Sequence, residues 1–181
     1  HVATFDQAKQ FIKDIPVEAK QLADAYWPGP LTMLFTKQEN VPDLVTAGSK
    51  RVAIRVPNHP LTLQLLSQLD FPVAAPSANP SGYVSPTTAQ HVYEGLHNII
   101  PYILDGGACG VGVESTIVGW NDEGEIELYR LGGIAVEQIE AVIGKKIKHH
   151  KKITDNPSAP GQLKSHYATH TPLYLGKIDE L

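Results

Sequence analysis

The 181-residue chain holds a single cysteine, Cys109. No internal disulfide can form, and so sparse a use of cysteine fits a reducing, cytoplasmic setting. With no histidine or lysine near it in sequence, Cys109 reads as a small buried residue rather than a reactive thiol. No apolar run approaches the roughly 20 residues of a membrane helix, and no basic-then-apolar leader opens the chain, so no membrane association is expected. Charge is modest at 19% and hydrophobic content is 42%, an ordinary balance for one domain with a real core. Three familiar active-site signatures are also missing. There is no G-x-x-x-x-G-K-[ST] phosphate loop, and the glycines at 106, 107, 110 and 112 fail the G-x-G-x-x-G spacing. No G-x-S-x-G elbow occurs. His166 and His170 stand four apart, but no cysteine cluster supports zinc there and no metal site is assigned.

The charge that is present is unevenly spread. Residues 1–140 carry 8 Lys and Arg against 16 Asp and Glu, whereas residues 141–181 carry 7 against 3. Five lysines fall within residues 145–152. Such a run is either a nucleic-acid patch or a solvated strand or linker, and one short run favours the solvated reading. The first residue is His and a helix signature begins at Thr4, so the sequence reads as an excerpt that opens inside a domain.

Thr4 and Gln7 have capping-box spacing, and Phe5, Ala8, Phe11, Ile12 and Ile15 recur at helical spacing, predicting a helix to residue 15. Pro16 opens a second helix with Ala19, Leu22, Ala23 and Tyr26 on one face. Strands are expected over residues 31–36, 51–56, 102–105, 115–120 and 126–130, the last two forming a hairpin across Asn121-Asp122-Glu123-Gly124. Helices are expected from Pro60 to about Leu69, over 87–96, and over 136–143 with Gly144 as the stop. Residues 71–75 read as a buried strand delivering a loop, Pro76-Ser77-Ala78-Asn79-Pro80-Ser81-Gly82, with a helix opening at Ser85 or Thr87. Residues 172–175 look like the first strand of a further unit. The sum is a mixed α/β domain with some antiparallel pairing.

Candidate ligand groups follow from chemistry. A hydroxyl-rich loop ahead of a helix suits an anion such as phosphate. The same residues serve equally well as an N-cap and a turn. Strand-borne Arg55 and Arg130 could clamp a carboxylate or phosphate, or sit in surface salt bridges. Ser115 could hold a polar ligand, and Asp105 and Glu114 are a candidate carboxylate pair whose convergence spacing cannot show.

Seven stretches, in order, resemble one family. They are Trp27-Pro28-Gly29-Pro30-Leu31-Thr32; Val52-Ala53-Ile54-Arg55-Val56-Pro57 with His59-Pro60; and Ala74-Ala75-Pro76-Ser77-Ala78-Asn79. Next come Ser85-Pro86-Thr87-Thr88-Ala89 and Asp105-Gly106-Gly107. The last two are Gly110-Val111-Gly112-Val113-Glu114-Ser115-Thr116 and Arg130-Leu131-Gly132-Gly133-Ile134. Together they resemble the YrdC-like threonylcarbamoyl-AMP synthases of the longer, two-domain type. The resemblance implies an α/β fold, a YrdC-like twisted mixed open sheet with flanking helices. It divides the chain into a catalytic domain over 1–144, a linker over 145–171 and the start of a second domain over 172–181. It implies a nucleotidyltransferase that joins L-threonine, bicarbonate and ATP and releases pyrophosphate, with Mg2+ on the nucleotide, and whose product feeds the tRNA-modification machinery that makes threonylcarbamoyladenosine.

Position by position, the resemblance assigns L-threonine to His1, Arg55, Ala75 and Ser115. It assigns ATP to Arg51, Ser77, Ser85, Arg130 and Tyr167, with Asn79 assisting. It names no catalytic residue. The family's Lys-x-Arg motif is absent from these residues. Two other readings belong to the same fold: a double-stranded-RNA-binding or regulatory module, and carbamoyl transfer from carbamoyl phosphate.

Overall fold

The computed structural model describes residues 1–150, and its contacts divide them into two compact units, residues 1–76 with 109–150 and residues 77–108. All the strands among the described residues belong to the first. They are β1 (Leu31–Thr36), β2 (Arg51–Ile54), β3 (Thr116–Trp120), β4 (Ile126–Arg130) and β5 (Lys148–His149). They form one mixed open sheet in the order β2-β1-β3-β4-β5, antiparallel at β1/β2 and β3/β4 and parallel at β1/β3 and β4/β5.

Alternation assigns the two faces. Leu31, Met33, Phe35, Val52, Ile54, Val118, Trp120, Ile126 and Leu128 point one way into the main core. That face is covered by helices α2 (Val17–Tyr26) and α5 (Val136–Ile143), through Ala19, Leu22, Ala23 and Ile139. Each large side chain so buried contributes about 1.5–3 kcal/mol, and Phe35 stacks on Trp120 with centroids 5.4 Å apart. The opposite face carries a smaller cluster, Leu34, Ile117 and Tyr129, among polar side chains. Gly119 on β3 makes room for it, because a Cβ there would lie 2.9 Å from Leu34 Cβ and 3.0 Å from the Tyr129 ring. The β3/β4 register slips between Ile117 and Val118, so that Ile117 faces Arg130 while Val118 faces Leu128. Tyr129 is the extra residue of this bulge, and Tyr129 and Arg130 consequently share the polar face.

Several expected elements are corrected. Helix α1 spans only Phe5–Ala8. Beyond it the backbone takes sheet-like bonds instead: Lys13 N donates to Thr36 O at 2.9 Å, Gln38 N donates to Phe11 O at 2.9 Å, and Ile12 bridges to Lys37. Ala8 and Ile12 are nonetheless core residues, so the apolar period was real and its backbone assignment was not. Thr4 caps α1 as expected, its hydroxyl accepting from Gln7 N at 3.1 Å, while Gln7 Oε1 accepts from Ala3 N at 2.7 Å rather than from the Thr4 N–H of a standard box. Residues 71–75 form no strand; their Val73 N donates to His1 O at 3.0 Å, and Phe71 is exposed. Strand β2 stops at Ile54, short of Arg55. Helix α3 (Pro60–Ser67) buries Leu66 but leaves Leu61 and Leu65 exposed.

In the second unit, helix α4 (Ala89–Leu96) begins after Thr88, whose hydroxyl accepts from His91 N, so neither Ser85 nor Thr87 is the cap. Residues 102–105 form no strand, and Tyr102 and Leu104 are exposed. Cys109, in the glycine loop of the first unit, is exposed, not buried. The lysines described at 145, 146 and 148 pair with Glu18, Glu140 and Glu125, which makes this part of the basic run a solvated, locally neutralised edge. Among the described residues no helix is long and apolar enough to cross a membrane.

Candidate functional site

Strand directions bring the starts of β1 and β3 and the ends of β2 and β4 to one edge of the sheet. That topology, which no local spacing reveals, gathers Arg55, Ser115 and Arg130. Gly29 stands just before β1, Arg55 just after β2, Glu114 and Ser115 just before β3, and Arg130 ends β4.

Arg55 is half-buried, and its Nε donates to the Gly29 carbonyl at 2.9 Å. The Trp-Pro-Gly-Pro stretch fixes that acceptor. Trp27 Nε1 donates to Leu31 O at 2.8 Å and Gly29 N to Val56 O at 2.9 Å. A Cβ on Gly29 would lie 2.2 Å from Tyr26 O, so only glycine fits. Arg130 is gripped by Ser115: Nε donates to its carbonyl and Nη2 to its hydroxyl, each at 3.0 Å. The buried Ser115 hydroxyl also shares a 2.8 Å hydrogen bond with Thr32. Glu114 lies 3.6 Å from Arg130. Burial lowers the Arg55 pKa from its ordinary value; Glu114 opposes that and Arg130 adds to it. An arginine always keeps its proton, so a desolvated guanidinium beside a second one marks a place where an anion is welcome.

The other expected site residues are placed as follows. His1 pairs through its backbone with Val73, its nitrogen donating to Val73 O at 2.7 Å. Ala75 is exposed. Arg51 begins β2, about 13 Å along the strand from Arg55, and is engaged elsewhere. Its Nη1 donates to the Tyr129 hydroxyl at 2.5 Å and its Nη2 lies 3.2 Å from Asp122. Tyr129 in turn stacks on His150 at 4.2 Å, and His150 Nδ1 lies 2.6 Å from Glu127. Ser77 and Ser85 belong to the second unit. There the Asn79 amide spans its loop by donating to Pro80 O at 2.9 Å and Tyr83 O at 3.1 Å. Asp105 accepts from Gly107 N at 2.8 Å within that same unit, while Glu114 belongs to the first. Tyr167, His166, His170 and the expected strand at 172–175 lie outside the described residues.

Sequence reasoning missed Thr32 and the Gly29 carbonyl, although both sit in the first quoted motif. It also missed the Tyr129, His150 and Glu127 group, for which no motif stood out.

The mixed open sheet with an arginine-and-hydroxyl corner at one edge makes this an α/β protein with a candidate anion site. Comparison with known proteins agrees. A family model described as "Telomere recombination" (Sua5_yciO_yrdC) matches residues 1–132, and one described as "Threonylcarbamoyl-AMP synthase, C-terminal domain" matches residues 134–180. The chain belongs to the Sua5/YciO/YrdC family. It is similar to the threonylcarbamoyl-AMP synthase of Pyrococcus abyssi, 44% identical over 93% of this chain and 50% of that protein. The Bacillus subtilis threonylcarbamoyl-AMP synthase is 45% identical over 97% of this chain and 51% of its own length. Among solved structures, the P. abyssi Sua5 complex with L-threonine superposes with a TM-score of 0.87 at 44% identity, over 93% of this chain and 50% of that one. The chain thus spans about half the length of the curated relatives it matches.

Proposed function

We propose that residues 1–144 of this chain belong to the catalytic domain of an L-threonylcarbamoyladenylate synthase, a cytoplasmic nucleotidyltransferase acting on L-threonine, bicarbonate and MgATP. The observation that carries the reading is the convergence of Arg55, Ser115 and Arg130 at one sheet edge, with Arg55 desolvated there. The P. abyssi relative, solved with L-threonine, supports the choice of amino acid.

In this reading Arg55 takes the threonine carboxylate through a planar, charge-assisted pair. His1, Ala75 and Ser115 complete the amino-acid pocket. The family resemblance gives the nucleotide to Arg130, Ser77, Ser85 and Tyr167, and also to Arg51, which would have to leave Tyr129 and Asp122 to serve it. The threonine amine captures bicarbonate as a carbamate with loss of water. A carbamate oxygen then attacks the α-phosphorus of ATP, and the bond to pyrophosphate breaks. Mg2+ travels with the ATP phosphates as part of the substrate. Chemistry of this kind rests on positioning and charge neutralisation more than on a protein nucleophile, which matches a corner of guanidinium and hydroxyl groups. The product would pass to the machinery that modifies tRNA.

The test is pyrophosphate release from ATP and bicarbonate, with and without L-threonine, in the full-length protein and in Arg55→Ala. Threonine-dependent release, with a loss in Arg55→Ala that falls on threonine use far more than on ATP binding, is the expected result. ATP turnover indifferent to threonine would end this reading.

A further inference from the structure

Two buried hydroxyls at the arginine corner hold one proton more than the protein uses. Thr32 and Ser115 are 8% and 6% exposed and share a single hydrogen bond of 2.8 Å. Ser115 Oγ also accepts from Arg130 Nη2 at 3.0 Å. Neither hydroxyl has a further hydrogen-bond partner among the described residues. Each carries one proton, so two protons are present and the shared bond spends one. The next residue shows a balanced hydroxyl. Thr116 is fully buried, and its Oγ1 donates to Ile134 O at 2.7 Å and accepts from Ile134 N at 3.0 Å. A buried donor without an acceptor is costly, so water or a ligand must take the spare proton of the Thr32 and Ser115 pair.

The direction of the bonds says which proton is left. A guanidinium donating to Ser115 Oγ polarises that hydroxyl and makes its proton the better donor. Running from Arg130 to Ser115 to Thr32, the chain of bonds has Ser115 accept once and donate once. Running the other way, Ser115 would accept twice and Thr32 not at all. The spare proton therefore sits on Thr32. Thr32 faces away from the main core, because Leu31 and Met33 on either side of it point into that core. Strand β1 lies between β2 and β3, and the Met33–Ile54 pair sets Thr32 between Arg55, just past β2, and Ser115, just before β3. With a guanidinium group on either side, the acceptor that suits this position is an anionic oxygen, through a charge-assisted O–H···O bond.

We propose that Thr32 is a further ligand-binding residue of this corner, its hydroxyl donating to an anionic oxygen of the molecule that the arginines attract. This role rests on the reading given above, in which that oxygen belongs to the carboxylate of L-threonine or to a nucleotide phosphate. Thr32 binds and orients, and takes no part in the bond changes.

L-Threonine, MgATP and inorganic phosphate are each titrated calorimetrically into the full-length protein and into Thr32→Val and Thr32→Ser. Valine keeps the shape of threonine without its hydroxyl, and serine keeps the hydroxyl. Thr32→Val should weaken at least one of the two substrates about tenfold or more, the fold-change of a lost hydrogen bond to a charged group. Thr32→Ser should recover most of that loss. A loss confined to L-threonine puts the carboxylate on Thr32, and one confined to MgATP puts a phosphate there; both support the proposal. Thr32→Ala, a second way to remove the hydroxyl, should match Thr32→Val and decides the matter where valine does not fold. Native affinity for both substrates in the variants without the hydroxyl overturns the proposal. So does an equal loss in Thr32→Val and Thr32→Ser, the result of a purely structural role. Phosphate bound by the native protein and lost in Thr32→Val, while neither substrate binds the native protein, would keep the hydroxyl and sink the synthase reading instead.

Discussion

Replacing Ser115 by alanine should destabilise the first unit more than replacing its partner Thr32 by valine. The Ser115 hydroxyl is buried and serves two groups, Thr32 Oγ1 at 2.8 Å and Arg130 Nη2 at 3.0 Å. A neutral hydrogen bond contributes about 1 kcal/mol and one to a charged group about 1.5–3 kcal/mol. Arg130 is 14% exposed, so water can replace part of the second, and a total of about 2–3 kcal/mol follows. Thr32→Val loses only the shared bond, for about 1 kcal/mol. The double variant should fall short of the sum by about 0.5–1.5 kcal/mol, since the shared bond can be lost only once. Urea unfolding with a constant slope reads all three differences from midpoints alone. Equal losses for the two single variants, or strict additivity in the double, would refute the hydroxyl arrangement and with it the account of how Arg130 is held.

Gly29→Ala should cost about 1–3 kcal/mol, the usual range for forced overpacking, because its Cβ would meet Tyr26 O at 2.2 Å. In the reading proposed above it should also weaken threonine binding by moving the carbonyl that holds Arg55; calorimetry and thermal melting check both, and an unchanged melting temperature would count against it. A pH effect is expected at Glu127. Burial pushes its pKa up, but hydrogen bonds from His150 and Asn121 outweigh that and leave it below the ordinary value. Its folded pKa is therefore the lower one. The stability it contributes is intact above the unfolded Glu value of about 4.3 and is lost as pH falls through the depressed folded value. Glu127→Gln should flatten the acid side of the stability curve, measured as urea midpoints from neutral pH downward; an unaltered acid limb would contradict the role given to this carboxylate.

How much of this was legible in the chain depended on whether a residue's partner was local. Strands β1 and β4 and helix α5 match expectation to the residue because turn and cap residues bound them, Gly144 with φ 69° ending α5. Val52, Ile54 and Val56 are all buried as their alternation implied. Residues 11–13 misled because remote carbonyls and N–H groups at the end of β1 outbid the local helix, and nothing within a window of 10 residues records them. The site divides the same way. The resemblance named Arg55, Ser115 and Arg130 one at a time. Their meeting rests on the order β2-β1-β3-β4 and its strand directions, and Arg55's anchor is a backbone oxygen, a group every residue has and no motif can flag.

Both tryptophans, Trp27 and Trp120, belong to the first unit. Trp120 is buried on Phe35 and Trp27 packs against the same core. Tyr83, Tyr93 and Tyr102 belong to the second unit and are exposed. Indole emission is therefore an optical label carried by the first unit. A melt followed by tryptophan fluorescence times the loss of the arginine corner, and its coincidence with far-ultraviolet dichroism tells whether the chain comes apart in one step or in two.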